Sequence, residues 1–201
     1  MKTQIETKSL LAALNCSATK DLRSYLNGVY VNFKTAERFT CASTNGHILF
    51  VSIGQIDNLY NDDLTGLSLI IPNEIIKKLN KKKLFVVFES LGDNRYILDD
   101  QIFTAIEGKF LQISRVVPET LNDSEIAVSN YNPEYLARAQ KALNTYYQNK
   151  STTTYPMVQR GNLAGIMHAG SNECQVVIMP ISNSFYDKKI GKVQPFNRDF
   201  L

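Results

Sequence analysis

Tyr25 to Leu49 reads YLNGVYVNFKTAERFTCASTNGHIL and holds two apolar runs around a polar stretch. The first run alternates, with Val29, Val31 and Phe33 on one face and Tyr30 and Asn32 on the other. A period of two predicts a strand with one buried face. The second run, Phe39 to Ser43, has the same character and ends in Thr44-Asn45-Gly46-His47. Asn-Gly is a strong turn signal because both residues tolerate a positive φ. Ile48, Leu49, Phe50, Val51 and Ile53 then resume an apolar strand. The stretch therefore predicts an antiparallel meander with a tight turn, and nothing in it carries catalytic chemistry.

Working outward, residues 2–6 predict a short opening strand. Thr7 offers an N-cap, and Leu10, Leu11 and Leu14 make a helical apolar stripe. After the meander, Asp57 to Gly66 is polar and reads as a loop. The pattern then begins again. Leu67 to Ile71 predicts a buried strand, Pro72-Asn73 stops it with Asn73 as a helix cap, and Ile75, Ile76 and Leu79 face a core. Leu84 to Phe88, Arg95 to Leu98 and Ile102 to Ile106 follow as strands. A third round runs from a strand at Ile126 to Val128 into a helix opened by Asn132-Pro133-Glu134, with cap, proline and acid in order. Leu136, Ala139, Leu143 and Tyr146 share one face of that helix. Tyr155 to Val158, Leu163 to Met167 and Gln175 to Met179 complete it as strands. Three strand–helix–three-strand units thus span roughly 1–54, 66–110 and 124–181. They repeat an architecture rather than a sequence.

The chain has 201 residues, 44% of them hydrophobic, enough for a sizeable core in one or two domains. A net charge of +3 is too small to name a nucleic-acid partner, so placement of the cations matters more. Cys16, Cys41 and Cys174 are widely spaced, with no zinc or redox pattern, and are expected as reduced thiols of a cytoplasmic protein. The opening MKTQIETKSLLAALN is too polar for a signal peptide, and no apolar run approaches the roughly 20 residues that span a bilayer. His47 and His168 lack the neighbours of a triad, and no glycine loop cradles phosphate, so an enzyme is not expected. No cofactor or metal is expected either.

Several motifs, taken in order, resemble one family. Tyr25-Leu26-Asn27-Gly28, a strand, and then Thr44-Asn45-Gly46-His47 are similar to the second domain of the bacterial DNA polymerase III beta subunit, the sliding clamp, which reads YLNG and later ATDGHRL. Asn45 stands where the family usually has Asp, and Ile48 where it usually has Arg. Ile113 to Pro118 is similar to the family's YRRVIP connector, Asn130 to Leu136 to its FNPKYL, and Val176 to Ile181 to its YVVMPM. The likeness covers most of residues 5–181. The family's opening domain and the first half of its last domain have no counterpart, and residues 182–201 are extra, as in a shortened, phage- or prophage-type member.

The resemblance implies an α+β protein with the DNA-clamp fold: βαβββ units, curved antiparallel sheets, and helices on one face. Residues 1–118 would form one clamp domain, 119–181 half of another, and 182–201 a tail. A clamp encircles duplex DNA without reading bases and tethers a polymerase, so helix-borne cations would meet phosphates. The candidates are Lys8, Lys20 and Arg23 near the first helix, Lys77, Lys78, Lys81, Lys82 and Lys83 at the second, and Arg138 and Lys141 on the third. Lysines at a helix end also serve simply to solvate it and complement its dipole. The family's apolar peptide pocket maps to Leu26, Thr44, Gly46, His47, Leu49, Pro118, Val177, Met179, Pro180 and Ile181. Expected partners are duplex DNA, DNA polymerase or other clamp-binding proteins, and further copies of the chain, with no membrane. The tail joins Gln194 to Phe196, Phe200 and Leu201, similar in type to a clamp-binding peptide. An interaction module that keeps the fold without closing a ring, and that modulates a host polymerase or clamp, is the other function these residues allow.

Overall fold

A computed structural model describes residues 1–117, 130–149, 153–159, 164–170 and 172–181. In chain order its elements are β1 (Lys2–Glu6), α1 (Thr7–Ala13), β2 (Gly28–Phe33), β3 (Arg38–Thr44), β4 (Ile48–Asp57), β5 (Ser68–Pro72), α2 (Asn73–Lys77), β6 (Phe85–Gly92), β7 (Arg95–Leu98), β8 (Gln101–Thr104), α3 (Pro133–Tyr147), β9 (Met157–Gln159), β10 (Gly165–His168) and β11 (Cys174–Ile178). The order β1-α1-β2-β3-β4 recurs as β5-α2-β6-β7-β8. The strands expected at Ile126 to Val128 and the tail at 182–201 lie outside the described residues.

Among the described residues every strand pairing is antiparallel, and the main path runs β5-β2-β3-β4-β1-β6-β7-β8. The ten-residue β4 is the hinge pin of the arrangement. One edge pairs with β3 along its length. The other edge serves two partners, β11 opposite Ile48 to Ser52 and β1 opposite Ile56 and Asp57. Gly54 sits across from Phe39, whose ring lies over the bare α-carbon. A glycine is required there because a β-carbon would occupy the ring's space.

Alternation along the strands sorts their side chains between two apolar clusters. Val29, Val31, Phe33, Phe39, Cys41, Ile48 and Phe50 point to one side, where Leu10 of α1, Ile76 of α2 and Leu143 of α3 cover them. All three helices belong to this cluster. Full burial of each such aliphatic or aromatic side chain is worth about 1.5–3 kcal/mol. Ala42, Leu49, Ile70, Ile166 and Val177 point to the opposite side, beneath Phe110. The face of Tyr30 is therefore also partly covered, and its ring stacks on Phe110 at 4.8 Å between centroids.

Three local expectations need correction. Thr7 does not cap α1: Glu6 holds that position, and the Thr7 amide donates to the Leu84 carbonyl at 2.9 Å. Asn73 is the first residue of α2, not its cap, and its amide nitrogen donates to the Ala18 carbonyl at 2.9 Å. In neither case does the side-chain oxygen that a cap would use accept a hydrogen bond, and a distant carbonyl, Leu84's or Ala18's, instead takes a donor of the residue. In the β3–β4 turn only Gly46 has a positive φ, +92°. Asn45 instead turns the chain with its side chain, whose oxygen accepts from the His47 and Ile48 amides at 2.9 and 3.0 Å. At Asn132 the expectation holds, since its side chain accepts from the Glu134 amide at 2.9 Å and Pro133 begins α3.

Candidate functional site

On the helix side, α1 and α3 pack against each other and leave a groove of about 920 Å³. Lys8, Lys81, Lys82, Lys83 and Lys141 line it. These residues come from two helices and the loop after α2, so tertiary packing alone makes them neighbours. Lys8 pairs with Glu6 at 3.1 Å and stands over the Tyr146 ring at 4.8 Å. Lys83 pairs with Asp99 at 2.7 Å. Lys81, Lys82 and Lys141 are exposed and form no ion pair with the described residues. Their charge is available to an anion, with a range set by salt screening.

The other cations expected to meet phosphates are placed differently. Lys77 and Lys78 are exposed at the end of α2, and Lys20 is exposed in a loop, with φ +61°. Arg138 is half-buried on α3, and its guanidinium donates to the carbonyls of Asn15 and Ser17 at 2.8 and 2.5 Å. It ties α3 to the chain leaving α1. Arg23 lies on no α-helix. It forms a two-point pair with Asp21, at 3.0 Å for each contact, and its guanidinium holds the Asp21 carboxyl down at about 2.

Arg23 sits over Gly46, where an added β-carbon would come within 3.3 Å of it. That places it at the rim of a crevice on the opposite side of the sheet. Thr44 and Leu49 are register partners across β3–β4, and Leu49 and Val177 across β4–β11. The Met179 amide donates to the His47 carbonyl at 2.8 Å, fastening the end of β11 to the turn. Ile181 bridges to Asn130. Thr44, Leu49 and Val177 form a buried floor, while Gly46, His47 and Met179 are exposed, and Pro180 and Ile181 are half-buried. Leu26 is buried on the single turn Ser24–Leu26, three residues after Arg23. Pro118 lies outside the described residues. Ile48, which stands where the family has Arg, points into the helix-side core, so it presents nothing polar to the crevice.

Two contributors escaped the sequence reading. Tyr135, on the first turn of α3, stacks on the His47 ring at 5.3 Å with planes 13° apart. Its position just after the Asn132 cap was the available signal. The other is the segment from Ile106 to Val117, which crosses the outer sheet face and borders a groove of about 1280 Å³ beside Tyr30, Val51 and Phe110. Leu49 and Val177 belong to the same apolar cluster as Phe110.

The three cysteines are free and buried. Burial pushes the Cys16 thiol up to about 12 and raises Cys41 and Cys174 as well. Such thiols stay protonated and are poor nucleophiles. Among the described residues no three His, Cys, Asp or Glu side chains are grouped for a metal, and no helix is long and apolar enough to cross a membrane.

Repeated βαβββ order, curved antiparallel sheets and helices gathered on one side define the DNA sliding-clamp fold. No protein-family model and no curated protein matches the sequence. Among solved structures, the chain is similar to the DNA polymerase III beta subunit of Thermotoga maritima, with a TM-score of 0.65, 13% identity, and 90% of this chain and 65% of that one covered. It is similar to the sliding clamp of Pseudomonas aeruginosa solved bound to griselimycin, with a TM-score of 0.61, 15% identity, and the same coverage of 90% and 65%. The clamp of Bacillus subtilis gives 0.61 and 11%, covering 90% and 64%. The chain thus spans about 65% of the length of these clamps.

Proposed function

We propose that this protein is a sliding-clamp-like processivity factor, whose copies assemble around duplex DNA in the cytoplasm and tether a polymerase-type partner. It performs no covalent chemistry. Residues 1–118 act as one clamp domain and 119–181 as half of another. The observation that carries this reading is the gathering of Lys8, Lys81, Lys82, Lys83 and Lys141 in one groove on the helix side, with the apolar crevice on the opposite face. Flexible ammonium groups attract phosphates without fixing a register, which is what sliding requires. The crevice combines an exposed Met179 with a buried floor of Leu49 and Val177, and suits a short peptide with apolar anchors.

The test is topological. Labelled protein is incubated with nicked circular DNA, with and without a bacterial clamp loader, and then filtered at moderate salt before and after linearisation. A ring stays on the circle and runs off the linear form. Equal retention on both forms under every loading condition would refute encirclement.

A further inference from the structure

Strand β8 ends the main sheet path, and among the described residues nothing pairs with its outer edge. Its residues, Gln101, Ile102, Phe103 and Thr104, include no charge, no proline and no glycine. Exposed edges usually carry such blocks, because an open row of amides and carbonyls recruits other strands. Ile102 is moreover 68% exposed.

The direction of the free groups follows from the hairpin. Leu98 and Gln101 are register partners across a two-residue turn, so they exchange hydrogen bonds, and the next bonded pair is Tyr96 with Phe103. The amides and carbonyls of Ile102 and Thr104 therefore point away from β7. The continuation of the strand agrees. The Ala105 amide turns inward to the Asn94 carbonyl at 3.1 Å, and the Ile106 amide turns outward to the Ile70 carbonyl at 2.9 Å. The far end of this edge is thus sealed by β5, while the stretch at Ile102 and Thr104 is open.

The chain itself shows how such an edge is closed. In each βαβββ unit the last strand, β4 or β8, ends the meander, and β11 ends the third meander. β4 and β11 pair with each other, antiparallel, over five residues. Both are then occupied. β8 holds the same rank, and among the described residues no last strand remains for it.

We propose that β8 pairs antiparallel with β8 of a second copy across a two-fold axis. Antiparallel pairing of a strand with itself is self-complementary and needs no second surface. With Phe103 at the axis, Ile102 lies opposite Thr104 of the second copy and the outward groups of both are satisfied. This contact goes beyond the DNA-encircling reading and stands without it, because it is measured with no DNA present.

Light scattering on the full chain, without DNA, tests it. Wild type has an even number of chains, and Ile102→Lys, which sets new charges beside the axis, halves the mass. Leu84→Lys, at an equally exposed position, leaves the mass at the wild-type value. In a second arm, Ile102→Cys adds an exposed thiol to a chain whose own three are buried. A short bis-maleimide then links it into a covalent dimer, and Leu84→Cys is not linked. A monomeric wild type at high micromolar concentration, an unchanged mass in Ile102→Lys, or no selective cross-link would overturn the proposal, whatever the outcome on circular DNA.

Discussion

Replacing Arg138 by alanine separates two roles that charge alone does not. As a phosphate contact, Arg138 would matter for DNA and little for folding. Its geometry says the reverse. Two charge-assisted hydrogen bonds, to Asn15 and Ser17, join α3 to the end of α1. Bonds to a charged group contribute about 1.5–3 kcal/mol each. The side chain keeps 26% of its surface, so water replaces part of this in the variant. The contact to Glu134, at 3.9 Å with a carboxylate 70% exposed, adds little. We expect a loss of about 3 kcal/mol, combining two such bonds with the solvent discount. For a chain of this size that lowers Tm by about 6–12 °C. Urea unfolding followed by circular dichroism gives the number directly. Arg138→Lys should recover only part of it, because one ammonium cannot replace the planar fork. Lys141→Ala, one turn along and exposed, should cost no more than about 0.5 kcal/mol yet reduce the salt slope of DNA binding by about 0.9. If Arg138→Ala unfolds at the wild-type urea concentration and loses DNA affinity instead, the strut assignment is wrong.

Two further outcomes follow from the packing. Burial raises the folded-state Cys16 thiol from its ordinary value near 9 to about 12, so on raising the pH the unfolded chain loses its proton first. Stability from this group is intact below pH 9 and falls across the window up to about 12, by about 1.4 kcal/mol per pH unit. Urea titrations at stepped alkaline pH should therefore show a shallower decline in Cys16→Ala than in wild type, and parallel declines would refute the buried thiol's part. Gly54→Ala drives a methyl into the Phe39 ring and should cost about 1–3 kcal/mol in the same assay. Adding Phe39→Leu should recover part of that loss, and a neutral Gly54→Ala would show that the ring is not held there.

Much of the fold was legible because its signals are local. Alternation in Val29, Val31 and Phe33 marked β2, and Asn45-Gly46 marked the turn to β4. Asn132-Pro133-Glu134 marked the start of α3 to the residue. The misassigned caps at Thr7 and Asn73 show where local chemistry stops. Leu84 and Ala18 are distant in sequence, and their carbonyls redirect those residues. The candidate site divides in the same way. The motifs led to the expectation of a pocket at Thr44, Leu49, Val177 and Met179, and the β3–β4 and β4–β11 pairings set these residues close together. Tyr135 was missed because only folding stacks it on His47.

What the chain decides unaided is which side chains leave water and where it must turn. These follow from periodicity, from one glycine with a positive φ, and from one good helix cap. Tertiary structure alone decides which cations become neighbours. Lys8, Lys81 and Lys141 are far apart in sequence and share a groove only because α1 packs on α3, whereas Arg138, an equally plain cation on paper, is consumed in holding those helices together. Charge is a property of a residue, but its availability depends on which carbonyls and carboxylates the fold has already set beside it.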